Sequence, residues 1–104
     1  MDYHSHRLDA HTIKNSISPY DFYLREQELP HCGSRSQEWV VAGICPFHDD
    51  RSPGSFKVNL KNGAFLCFSC GCKGGDIIRF IEIKYQIPFR QALEKLAYEW
   101  RVLC

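Results

Sequence analysis

Cys45-Pro46-Phe47-His48 and Cys67-Phe68-Ser69-Cys70 are donor pairs of the form C-x2-H and C-x2-C, separated by an 18-residue insert. Three thiols and one imidazole in two short-spaced pairs are what a tetrahedral structural zinc takes from a small fold. A two-residue gap lets one tight turn aim both side chains at a single ion. Other readings explain less. Ordinary buried cysteines would leave the pairing without a reason. A thioredoxin-type redox site at Cys67 and Cys70 needs a βαβ setting, and a disulfide framework needs an oxidising compartment. A catalytic zinc needs an open coordination position, which four good donors close. The candidate ligands are therefore Cys45, His48, Cys67 and Cys70, holding one structural zinc. Cys72, two residues past Cys70, is the one credible substitute; Cys32 and Cys104 read as free thiols.

Elements must bring the two pairs together, and the chain supplies them. Glu38 to Ala42 is rich in strand formers and leads into Cys45. Pro53-Gly54 turns the chain, Phe56 to Leu60 reads as a strand, and Ala64 to Phe68 as its return. Asn62-Gly63 between them is a tight hairpin signal. That hairpin returns Cys67 and Cys70 toward Cys45 and His48. Gly71 to Gly75 reads as a flexible connector, with Asp76 as helix cap. Ile77, Ile78, Ile81 and Tyr85 then recur at helical spacing with Phe80 alongside. Pro88 opens a final helix whose Phe89, Ala92, Leu93, Leu96, Ala97 and Trp100 form one apolar stripe.

Before the metal motif, residues 1–8 read as a flexible terminus in which His4 and His6 are solvated. Asp9 caps a short helix, and Ser18-Pro19 gives a second helix start. Ile17, Tyr20, Tyr23 and Leu24 are expected on its inner side. Leu29-Pro30 through Ser36 is a loop. The resulting fold class is α+β: an antiparallel sheet with flanking N- and C-terminal helices, in one domain over residues 9–104.

Length and charge bound the function. A chain of 104 residues buries a limited core, so a metal staple is physically reasonable. Zinc would contribute on the order of 10 kcal/mol to folding, as in zinc-finger peptides. No apolar run has membrane-spanning length and the start has no signal-peptide core, so a cytoplasmic location is expected. The net charge of +1 hides an asymmetry. Residues 1–50 carry four basic and eight acidic side chains, whereas 51–84 carry six basic and two acidic ones. The positive charge gathers around and just after the metal motif, where it could meet a phosphate backbone.

These residues resemble the N-terminal zinc-binding domain of bacterial DNA primases, a zinc ribbon with Cys-His-Cys-Cys ligation. The resemblance runs from CPFH through Pro53-Gly54-Ser55-Phe56 and the hairpin into CFSCG, then Gly75-Asp76, and on into IPFRQALEKLA. It covers roughly residues 9–100 and carries the four ligands over to Cys45, His48, Cys67 and Cys70. The loop before Phe56 is one residue longer than the family's pattern, and the glycine connector is extended. The resemblance implies a non-catalytic module that contacts single-stranded template DNA in primer initiation, acting with a separate primase catalytic or helicase subunit. No carboxylate cluster, nucleophile or phosphate loop marks a polymerase here. Single strands are held by basic grooves and stacked aromatics. Arg51 and Lys57 are the first candidates for phosphate contact, followed by Lys61, Lys73 and Arg79. The competing expectation is a zinc-stabilised protein-interaction module without DNA affinity, consistent with the acidic first half.

Overall fold

Three sequence signals start helices as expected, and the computed structural model, which describes residues 9–27, 29, 38–48 and 54–102, shows how. Asp9 accepts from the Thr12 amide and opens α1, Ala10–Ser16. Ser18 accepts from the Asp21 amide and opens α2, Pro19–Glu26, with Pro19 in its first turn. Asp76 accepts from the Arg79 amide and opens α3, Ile77–Tyr85. Each carboxylate or hydroxyl satisfies one of the amides that a helix N-terminus leaves unpaired. The last helix, α4 (Phe89–Glu99), follows Pro88.

Between α2 and α3 lies an antiparallel meander. Its strands β1 (Trp39–Val41), β2 (Phe56–Asn59), β3 (Phe65–Cys67) and β4 (Lys73–Gly74) pair in chain order. β4 is a correction to the reading of Gly71 to Gly75 as a flexible connector: Phe65 pairs with Gly74 and Leu66 with Lys73. Glycine-rich composition hides a strand whose pairing is supplied by its neighbour. The β2–β3 connection is also wider than a two-residue turn. Asn59 donates its amide to the Ala64 carbonyl, leaving Leu60 to Gly63 as the loop. The buried Asn59 side chain accepts from the Lys61 and Asn62 amides, and Gly63 adopts φ 84°. Without a Cβ, glycine takes that left-handed conformation at no steric cost.

One core joins helices and sheet. Ile13, Phe22, Tyr23, Val58, Phe65, Ile78, Phe80, Ile81, Leu93 and Leu96 are buried in it. Phe22 corrects the expected inner side of α2: it is buried beside Ile17 and Tyr23, Tyr20 is half-buried, and Leu24 faces out at 52% exposure. In α3, Ile77, Ile78, Phe80 and Ile81 point inward while Tyr85 is exposed; in α4, Phe89 is exposed and Ala92, Leu93 and Leu96 are buried. The Tyr23 hydroxyl, the Lys84 ammonium on Glu26 (2.9 Å) and the Lys14–Asp76 pair (3.3 Å) tie the N-terminal helices to the rest. No helix is long and apolar enough to cross a membrane among the described residues. Residues 1–8, Cys32, Cys104 and the Pro30–Ser36 loop lie outside the described residues.

Candidate metal centre and basic face

The two donor pairs meet at one end of the sheet. Cys45 and His48 follow β1, Cys67 ends β3, and Cys70 sits in the turn before β4. Gly71 makes that turn possible, at φ 79° with its amide donating to the Cys67 carbonyl at 2.8 Å. The ligand atoms of Cys45, His48, Cys67 and Cys70 all lie within 4.8 Å of one another, and Cys67 Sγ is 3.4 Å from His48 Nε2. Zinc bonds of ~2.3 Å to sulfur and ~2.0 Å to nitrogen put tetrahedral corners about 3.5–3.8 Å apart. The group fits that ion. Cys72 is outside this four-donor group; it is half-buried, and its carbonyl accepts from the Cys67 amide.

The protein environment distributes protons unevenly over the thiols. Burial pushes the Cys45 thiol up to about 12, against the Phe47 amide, which donates to its sulfur at 3.4 Å. Burial also acts to raise Cys67. The Cys70 amide, the His48 ring, the Ser69 amide and the Cys45 thiol outweigh it and bring Cys67 down to about 7. A bound dication would favour thiolates at all three positions. Cys45 and Cys67 are buried, His48 is half-buried and Cys70 is exposed, so the site lies at the surface with its inner edge in the core. Phe47 supplies that edge. Its ring centroid is 5.7 Å from Phe56, 5.4 Å from Phe65 and 5.3 Å from Phe80.

The strand register decides which basic residues share a surface. Val41 pairs with Lys57, Lys57 with Leu66, and Leu66 with Lys73. Directly paired residues point to the same side of a sheet, so these four form one row across all the strands on the face away from the core. Trp39, 44% exposed, lies two residues from Val41 on the same side and helps line a hollow of about 480 Å³ with Leu66, Lys73 and Gly74. Phe68, 65% exposed, sits 5.6 Å from the Lys57 ammonium. Phe56 and Phe65, by contrast, are core.

The other basic candidates do not join this row. Lys61 lines a separate hollow of about 230 Å³ with Lys14, Asn15 and Asn62, beside α1. Arg79 lays its stem against Gly74 and directs its guanidinium to Glu82 at 3.4 Å. Arg51 lies outside the described residues. Among the described residues, no carboxylate forms an ion pair with Lys57 or Lys73. Sequence reasoning missed Trp39 and Leu66 as members of this face. Strand alternation carried the signal, but the register that aligns them was needed to use it.

Comparison with known proteins gives a consistent result. Residues 31–103 match the family model described as CHC2 zinc finger. The chain is 47% identical over 89 residues to the DNA primase of Mycolicibacterium smegmatis, and 47% identical over 90 residues to that of Streptomyces coelicolor. Each alignment takes in 86% of this chain and 13% of the relative, so the chain spans about 13% of the length of these curated primases. Among solved structures it is similar to the crystal structure of the Aquifex aeolicus primase (zinc binding and RNA polymerase domains). The TM-score is 0.67 at 29% identity, covering 86% of this chain and 20% of that one.

Proposed function

Because this chain belongs to the CHC2 zinc finger family, a primase-related zinc ribbon with one structural zinc, we propose that it binds single-stranded template DNA during primer initiation. Cys45, His48, Cys67 and Cys70 would hold the zinc. Three thiolates and a neutral imidazole around a dication leave a net charge of −1, so the centre does not attract phosphate. Its contribution is to fix the turn after β1 against the turn after β3, which holds the sheet's outer face in shape.

One observation carries the reading: the Lys57–Leu66–Lys73 row, with Trp39 and Phe68 around it, on an exposed sheet face. Ammonium groups that no carboxylate pairs among the described residues can replace the counterions of a phosphate backbone. Exposed aromatic faces accept stacked bases without sequence preference. The hollow beside Trp39 and Lys73 offers both within one surface. The catalytic or helicase subunit that would act with this module is a separate partner in this reading.

The test is a titration of the zinc-loaded protein with labelled oligo(dT) at two salt concentrations, with zinc stoichiometry measured on the same sample. The expected result is binding that weakens with salt and disappears on chelation, with quenching of Trp39 fluorescence. Absence of binding with one zinc retained would overturn the DNA reading and leave a protein-interaction module.

A further inference from the structure

The helical layer carries a second surface of different chemistry. A groove of about 560 Å³ runs between the end of α2 and the end of α4, lined by Arg25, Ala97, Tyr98, Glu99, Arg101 and Val102. Arg25 also borders an adjoining hollow of about 350 Å³ beside Gly43 and Ile44. Arg25 is common to the linings of both hollows. Ile44 and Tyr98 stand exposed in these linings, Tyr98 at 85%, and Leu24, next to Arg25 in the chain, is exposed as well.

We propose that this groove docks a short acidic peptide segment of a partner protein, with apolar side chains between its carboxylates. Neither arginine forms an ion pair with a carboxylate among the described residues. Both acids in the two linings are engaged by lysines, Glu99 by Lys95 at 2.6 Å and Glu26, in the adjoining hollow, by Lys84 at 2.9 Å. Arg25 is held in place by the Trp100 ring, its guanidinium carbon 5.0 Å from the centroid, so little side-chain freedom remains to be lost on binding. Arg101 occupies the left-handed position that ends α4, at φ 53°, with the Val102 amide donating back to the Ala97 carbonyl. Glycine is the favoured residue at such a position; arginine there costs backbone energy and puts a second arginine in the groove's lining. α3 ends on Gln86 in the same conformation, so the fold tolerates the cost. The distinguishing feature of Arg101 is what its side chain lines.

The residue types favour protein over nucleic acid. The sheet face offers lysines, while this groove offers two arginines and a tyrosine, residue types enriched at protein–protein contacts. A guanidinium fork matches a carboxylate in bidentate fashion. The groove belongs to the helical layer, away from the Lys57–Lys73 row, and its occupancy does not depend on whether that row binds DNA.

The experiment uses the full-length, zinc-loaded, isotope-labelled protein. The probe is a pool of blocked hexapeptides with Asp or Glu at the outer four positions and Leu, Ile or Phe at the central two. An Asn/Gln pool is the control. The acidic pool is expected to shift resonances of Leu24, Arg25, Ile44, Tyr98 and Arg101 and to leave Lys57 and Lys73 unmoved. Arg25→Gln and Arg101→Gly should each weaken binding about tenfold, as removal of a charge-assisted hydrogen bond does. Arg101→Gly should do so while retaining or raising Tm, a combination that a merely structural role would not produce. No saturable shift, equal shifts from the control pool, shifts at the sheet face instead, or oligo(dT) occupying the groove through the same two arginines would each overturn the proposal.

Discussion

The Tyr23 hydroxyl donates a 2.7 Å hydrogen bond to the Gly63 carbonyl, joining α2 to the β2–β3 loop across 40 residues of sequence. The ring is fully buried and stands edge-on to Phe22 and Phe80. The end of the sheet remote from the metal is thus held by one phenol and by the Asn59 side chain.

Tyr23→Phe should cost about 1–2 kcal/mol, because the Gly63 carbonyl stays buried without its donor. It should also change the alkaline limb. Burial, then the Asp76 and Glu26 carboxylates, raise the hydroxyl well above the ordinary tyrosine range. The folded state therefore keeps a proton that the unfolded chain releases near pH ~10. Tyrosine's contribution is complete below that pH and falls as pH rises, by about 1.4 kcal/mol per unit. Urea unfolding of the native protein and the Tyr23→Phe variant between neutral pH and pH ~11 checks both effects; the difference between them should shrink above pH ~10.

Gly74→Ala should destabilise by about 1–3 kcal/mol through overpacking. A methyl group there would overlap the Phe65 ring and lie 2.6 Å from Arg79 Cγ. The expected readout is a lower urea midpoint with an unchanged slope, and zinc content should remain at one per chain.

Chelation should unfold the sheet. A structural zinc contributes on the order of 10 kcal/mol, comparable to the whole stability of a domain this size, about 5–15 kcal/mol. Cys67→Ser is expected to lose zinc and far-ultraviolet structure together, whereas Cys72→Ser should keep both, since Cys72 is outside the four-donor group. Loss of zinc in the Cys72 variant would replace the proposed ligand set.

Lys57→Gln with Lys73→Gln should weaken oligo(dT) binding and lower the slope of log affinity against log salt by ~0.7 for each phosphate that is no longer neutralised. Lys61→Gln, on the separate hollow beside α1, should leave both affinity and slope nearly unchanged. Equal effects from all three lysines would spread the DNA-binding surface beyond the sheet face.

Much of the arrangement was legible in the sequence because it is written in local rules. The two donor pairs announce a metal site through spacing alone, and Asp9, Ser18 and Asp76 announce helix starts through capping chemistry. What was not legible depends on partners distant in the chain. Lys73 and Gly74 become a strand only because β3 offers them a ladder. Asn62-Gly63 suggested a two-residue turn, but the buried Asn59 side chain organises a longer loop by accepting two amides. Phe22 rather than Leu24 faces inward because the aromatic cluster around Phe80 sets the rotation of α2. Of the five basic candidates, ranked with Arg51 and Lys57 first, register placed Lys57 and Lys73 in one row, packing sent Lys61 and Arg79 elsewhere, and Arg51 lies outside the described residues.

Phe47 stands between Cys45 and His48, two of the proposed zinc ligands, in the chain and among Phe56, Phe65 and Phe80 in space. Metal capture and ring packing are consequently two measurements of one free energy. Where the metal-free chain is largely unfolded, each ~1.4 kcal/mol removed from the core by a distant substitution lowers the apparent zinc affinity about tenfold. Competition against a chromophoric chelator would then grade the interior of a whole variant series without denaturant. The folded fraction in a cell would follow the free zinc concentration as much as it follows temperature.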